Sequence, residues 1–224
     1  MISNKVTHLI TTIERGGAEK QLLTLTSEQV QSGLNVEVFF LKGKPDLKNE
    51  FEESGVEVNN LLVGKSFLKQ IFLLSKYLRK NPSPVHAHLP KSELLAAVVI
   101  AKKYFVFSRH NAEPFWPSGP RIISNLLSKF VCKRASRGIA ISNAVKSYLI
   151  KRGEIPTGYK IDVVYYGFQK DISTNSLGLN VITSLMNGQS SNYKIGTIGR
   201  LVPQKDYPTL LNAFSNVLKS LPET

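Results

Sequence analysis

Short apolar runs, separated by longer stretches of helical spacing, leave few folds open to this chain. Lys5–Thr11, Val36–Leu41, Val56–Val58, Val85–His88, Tyr104–Ser108, Gly138–Ile141 and Ile161–Tyr165 each read as a strand. Between them lie a helix carrying Leu22, Leu23, Leu25 and Thr26, a short helix over Asp46–Ser54, and helices over Phe67–Leu78, Lys91–Lys103, Ile122–Arg134 and Ser142–Arg152. Gly33, Gly55 and the Asn81-Pro82 pair punctuate their ends. Val36–Leu41 is almost continuously apolar, as a strand covered on both faces should be. The alternation predicts right-handed β-α-β units around a parallel sheet, an α/β Rossmann-like domain over residues 1–168.

Asn, Ser and Gly crowd residues 169–192 around one weak apolar patch, Val181–Met186, which reads as an interdomain connection. A strand over Tyr193–Ile198 and a helix with Leu210, Leu211, Phe214, Val217 and Leu218 follow. One strand and one helix cannot bury their own apolar faces, so residues 193–224 read as only the start of a second Rossmann-like domain. The turn joining them holds Arg200 and Lys205 ahead of a helix N-terminus. Two cations and unpaired backbone N–H groups make a seat for a phosphorylated ligand.

Charge narrows the partners. With 29 Lys and Arg against 16 Asp and Glu, the formal net charge is +13, which favours nucleic acid, anionic lipid or phosphorylated small molecules. From Pro114 through Gly153 no acid occurs, while Arg121, Lys129, Lys133, Arg134, Arg137, Lys146, Lys151 and Arg152 do. Combined with Ile122, Ile123, Leu126, Leu127 and Phe130, the helix there either rests on an anionic membrane surface or turns its apolar face to the core. No run of roughly 18 uncharged apolar residues and no signal-peptide h-region is present, so the expected location is the cytoplasm, at the inner face of the cell membrane if the helix docks there. Cys132 reads as a buried small hydrophobe. The four histidines, His8, His86, His88 and His110, are too few and too dispersed to announce a metal site.

Gly16-Gly17 follows the first strand, where open parallel sheets place their ligands. The pair either lets backbone N–H groups approach a ligand or simply makes a tight turn with Glu19 at the helix start. Neither G-x-G-x-x-G nor a P-loop occurs. His86 and His88, two residues apart on a strand, point the same way, toward the crevice or into the core. Ser108-Arg109-His110-Asn111 exits the fifth strand at the same edge, where a neutral histidine can bond a sugar hydroxyl or steady a developing charge. Trp116 beyond it stacks on a ligand or caps the sheet edge. No nucleophile stands out.

Six segments in order resemble the retaining, nucleotide-sugar-dependent GT-B glycosyltransferases of glycosyltransferase family 4. They are Gly16-Gly17-Ala18-Glu19, His86-Ala87-His88, His110-Asn111, Ala140-Ile141-Ser142-Asn143-Ala144-Val145, Val163-Val164-Tyr165-Tyr166-Gly167-Phe168 and Gly199-Arg200-Leu201-Val202-Pro203-Gln204-Lys205. The resemblance implies two Rossmann-like domains facing across a cleft, the N-terminal one receiving the acceptor. Arg200 and Lys205 would bind the donor diphosphate and stabilise the departing nucleotide. Gly16 and Gly17 would approach the phosphate and sugar, His110 would contact the sugar near the reacting carbon, and His88 and Ser142 would line the wall. No cofactor and no metal are implied.

Two departures stand out. Asp206 occupies the position where the family motif commonly has glycine, and the glutamate-containing donor loop is absent. The expected function is transfer of a hexose-type sugar from a nucleoside-diphosphate sugar to a glycan or lipid-linked glycan, with peripheral contact to an anionic membrane and with this polypeptide inactive alone. A GT-B nucleotide-sugar epimerase or sugar-phosphate enzyme, and a basic nucleic-acid-binding module, are the alternatives. No recognisable nucleic-acid motif favours the second.

Overall fold

Each run expected to be extended in residues 1–168 forms a strand. The computed structural model describes residues 4–167, 195–199, 201 and 205–221. β1 (Lys5–Ile10), β2 (Asn35–Phe40), β3 (Glu57–Asn59), β4 (Val85–His88), β5 (Phe105–Arg109), β6 (Arg137–Ala140) and β7 (Ile161–Val163) make one parallel sheet in the order β3-β2-β1-β4-β5-β6-β7. They are joined by α1 (Gly17–Gln31), α2 (Lys48–Glu53), α3 (Phe67–Lys80), α4 (Pro90–Val99), α5 (Arg121–Arg134) and α6 (Asn143–Arg152). The chain winds outward from β1 to β3, returns to β4 and continues outward the other way. That reversal opens a crevice at the carboxyl ends of β1 and β4, the switch point where such sheets hold ligands.

Strand alternation divides the core. Leu9, Phe39, Ala87, Phe105 and Phe107 face Leu74 of α3, Leu95 of α4 and Val131 of α5. Ile10, Val38 and Phe40 face Leu22 of α1 and Phe51 of α2. Each such Leu, Ile, Val or Phe side chain contributes roughly 1.5–3 kcal/mol on burial, so both faces of β1 and β2 are held strongly. On the α1 side of β4 and β5 the alternation instead presents His86, His88 and Ser108. The polar part of the sheet is therefore continuous with the crevice.

Some expected boundaries move. α4 stops at Val99 because Ile100 and Ala101 turn extended, and Lys102–Tyr104 form a separate 3-10 turn. β7 ends at Val163 because it pairs only with β6, which stops at Ala140. α5 buries Ser124, Ser128, Val131 and Cys132, with Leu127 partly buried against the core, and leaves Ile122, Ile123, Leu126 and Phe130 outward.

The chain divides into two compact units, 1–169 and 170–224. In the second, α7 (Tyr207–Ser220) forms where expected. Ile195–Ile198 carry no strand pairing, contrary to the reading of Tyr193–Ile198 as a strand. A strand exists only through hydrogen bonds to a neighbour, and no described residue supplies one to this stretch. Tyr193, the connection at 169–192 and Arg200 lie outside the described residues.

Candidate functional site

At the switch point the Gly16 turn is shaped by its own carboxylate. Gly16 caps α1 in extended conformation, and Glu19 folds back to accept a 2.7 Å hydrogen bond from Thr12 Oγ1. A Cβ on Gly16 would collide with that carboxylate, whereas one on Gly17 would meet nothing within 4 Å. The requirement at Gly16 is thus met within the turn itself. Across the crevice, Leu89 follows β4 at φ 71° and ψ 146°, a conformation costing a non-glycine residue about 1–3 kcal/mol. Ser92 holds it by donating to the carbonyls of His88 and Leu89.

All four histidines converge here. His8 Nε2 lies 2.8 Å from Gln29 Oε1, His8 Nδ1 lies 3.0 Å from His88 Nε2, and His88 Nδ1 lies 3.1 Å from His110 Nε2. His110 Nδ1 lies 2.5 Å from the Tyr166 hydroxyl, and His86 Nε2 lies 2.7 Å from Ser108 Oγ. Their dispersal along the sequence concealed this, because β1, β4 and β5 become neighbours only in the sheet. Burial holds His8 and His110 down at about 4, and burial together with the neighbouring rings holds His86 and His88 well below the usual histidine range. The row is neutral near pH 7. Burial and the Glu19 charge push the Tyr166 phenol up to about 12, so it keeps its proton.

His8, His86 and His88 are the group of potential metal ligands among the described residues, with donor atoms within 4.8 Å of one another. Five of their six nitrogens are already engaged, by Gln29, Ser108, His110 and one another, and no carboxylate or thiolate joins the group. N–H···N bonding joins His8 to His88, and Ser108 holds His86.

A cavity of about 370 Å³ runs along the row, lined by His86, His88, His110, Leu25, Ile139 and Tyr166 among others. Ser142, expected in the wall, is half-buried and caps α6, its hydroxyl accepting from Val145 N at 3.2 Å. The half-exposed Trp116 indole packs over the Gly119 backbone, and its N–H backbone group donates to Ser124 Oγ. Lys205 is exposed, and its stem passes the backbone of Gly199 just ahead of α7.

Sequence reasoning missed Arg109. Its buried guanidinium reaches Glu93 at 2.7 Å, Glu154 at 3.4 Å and Ser128 Oγ at 3.1 Å. Glu154 also accepts from the Phe115 backbone, Ser124 and Arg152. This network draws the two serines of α5 inward and leaves Ile122 75%, Leu126 62%, Ile123 43% and Phe130 39% exposed beside Lys129 and Lys133. Arg109 thereby anchors the segment that carries His110. The only available signal was an arginine inside an otherwise apolar strand end.

The sequence profile of Glycosyltransferase Family 4 matches residues 15–171, which contain the Gly16 turn, the His88–His110 row and Tyr166. The chain belongs to Glycosyltransferase Family 4. Its fold agrees with structures of Anabaena Alr3699/HepE in complex with UDP and with UDP-glucose, at TM-scores of 0.70 and 0.71 and 19% identity. A glycosyltransferase from Rickettsia africae ESF-5 superposes at TM-score 0.64, also at 19% identity. Each comparison covers 95% of this chain but 57% of the other, so this Family 4 chain spans little more than half the length of those proteins. No curated protein matches it. The fold is the Rossmann-like parallel-sheet half typical of the GT-B N-terminal side.

Proposed function

We propose that this chain supplies the acceptor-side domain and the opening of the donor-side domain of a hexosyltransferase, one that moves a sugar from a nucleoside diphosphate to a glycan or lipid-linked glycan. The convergence of His88, His110 and Tyr166 on one cavity at the switch point carries the reading. The UDP and UDP-glucose held by Anabaena Alr3699/HepE support a nucleotide-sugar donor.

In this mechanism His110 binds the transferred sugar near the reacting carbon, with His88 behind it. The Gly16-Gly17 backbone approaches the sugar and phosphate. Arg200 and Lys205 take the diphosphate and offset the charge that grows on the departing nucleotide, an electrostatic task requiring neither nucleophile nor metal. Ser142 serves the wall through its cap rather than by contact.

The outward apolar stripe of α5, with Lys129 and Lys133 beside it, supports peripheral contact with an anionic membrane, where a lipid-linked acceptor would lie. No helix among the described residues is long and apolar enough to cross a membrane.

Product analysis with a chain extended through the donor loop tests the proposal. Glycan extension coupled to nucleoside diphosphate release is expected, and its loss in His110→Ala and Arg200→Ala. Free sugar without extension points instead to an epimerase-type reaction, and donor turnover by the present polypeptide refutes its inactivity.

A further inference from the structure

The histidine row has a direction, and Gln29 sets it. Gln29 Oε1, 2.8 Å from His8 Nε2, can only accept, so His8 carries its hydrogen on Nε2. A neutral imidazole has one N–H; His8 Nδ1 is therefore bare and accepts from His88 Nε2 at 3.0 Å. His88 Nδ1 is then bare and accepts from His110 Nε2 at 3.1 Å. His110 Nδ1 is left as an acceptor, met by the Tyr166 hydroxyl at 2.5 Å. Each link removes the choice from the next, and charging His8 or His88 would set two N–H groups against each other. Neutrality of all four buried rings suits the arrangement.

We infer that Gln29, His8 and His88 are positioning residues forming a tautomer relay, which keeps His110 Nδ1 a hydrogen-bond acceptor at the cavity, so that a ligand group replacing the Tyr166 hydroxyl there must itself be a hydroxyl donor. The ligand half rests on the proposed sugar-binding role of His110; the relay does not. The row begins on α1, passes β1 and β4 and ends after β5, so a residue three hydrogen bonds away fixes which nitrogen of His110 is bare. A sugar hydroxyl can take the place of Tyr166. A fully deprotonated oxyanion such as sulfate, an acceptor only, cannot.

Long-range proton–nitrogen spectra of this chain labelled with nitrogen-15 histidine read the tautomers directly. His8, His88 and His110 are each expected to show a protonated Nε2 and a bare Nδ1; a protonated Nδ1 on His110 overturns the relay. In Gln29→Leu the Nδ1 resonance of His110, three hydrogen bonds away, is expected to move toward an averaged position with the backbone amide spectrum retained. Gln29→Glu, still an acceptor, is expected to restore it. An unmoved His110 in a folded Gln29→Leu protein overturns the assignment of Gln29, and should that variant unfold, the wild-type and Gln29→Glu spectra decide alone. In Tyr166→Phe, glucose is expected to shift the His110 Nδ1 resonance and sulfate to leave it unmoved. A shift with sulfate, or none with glucose, overturns the ligand half while leaving the relay standing.

Discussion

The Tyr166 hydroxyl lies 2.5 Å from His110 Nδ1, joining the exit of β7 to the exit of β5 across the end of β6. The last ring of the histidine row therefore has both nitrogens occupied, one by His88 and one by a tyrosine next to the unit boundary. Any ligand that uses His110 must first displace that phenol. The neutral state of the row makes this exchange possible without moving charge.

The same row sets the acid limit of the fold. His8 and His110, held at about 4 against an unperturbed 6.5, bind fewer protons folded than unfolded, so the stability they contribute is present above 6.5 and is lost as pH falls toward 4. Urea unfolding across that range should show stability falling by about 3 kcal/mol per histidine, from the linkage of about 1.4 kcal/mol per pKa unit. A flat profile would show that the rings titrate in the native state as they do in the unfolded chain.

Glu93 acts in the opposite direction. Burial raises it to about 7 despite Arg109, and its Oε1 has no hydrogen-bond partner. The folded state keeps a proton that the unfolded chain releases near 4.5, so this contribution is full below that value and is lost as pH rises through 7. Glu93→Gln should gain on wild type by about 3 kcal/mol between about pH 5 and about pH 8, measured by chemical denaturation.

Gly16 and Gly17 should separate in mutation. Gly16→Ala drives a Cβ into the Glu19 carboxylate and should cost about 1–2 kcal/mol through the Thr12 bond. Gly17→Ala meets open space in the first turn of α1 and should be neutral or stabilising by up to about 1 kcal/mol. Thermal melts give both values. If Gly17→Ala leaves stability intact but weakens donor binding in the extended protein, its role is toward the ligand.

The outward stripe of α5 should bind anionic vesicles. Ile122→Ser with Leu126→Ser should abolish co-sedimentation with anionic vesicles without loss of stability, since both side chains are more than 60% exposed. Equal binding to neutral and anionic vesicles, or none to either by the wild type, would remove the membrane from the proposal.

Asp206 begins α7 at φ 49° and ψ 45°, the left-handed region that glycine enters without steric cost. Asp206→Gly should stabilise this turn by up to about 1 kcal/mol, read as higher amide protection of α7 in hydrogen exchange. This conformation also explains why a glycine suits that position in the motif.

Local pattern was sufficient for the sheet. Apolar runs alternating with helical spacing specify β1 to β7 and α1 to α6, because each is a property of consecutive residues and of a period that consecutive residues display. The burial of Cys132 was legible for the same reason, and it sits fully enclosed with its thiol pushed up to about 12. The site was legible only as separate pieces: a glycine turn, two histidines on a strand and one beyond the next. Tertiary structure alone decided that His8 joins them, since parallel pairing in register sets His8 beside His86 and Ile10 beside His88 across residues remote in sequence. It also decided which side of α5 faces inward. Apolar spacing on that helix fits either orientation, and the choice fell to Arg109, whose buried charge needed Glu93, Glu154 and two serines more than the core needed Ile122 and Leu126.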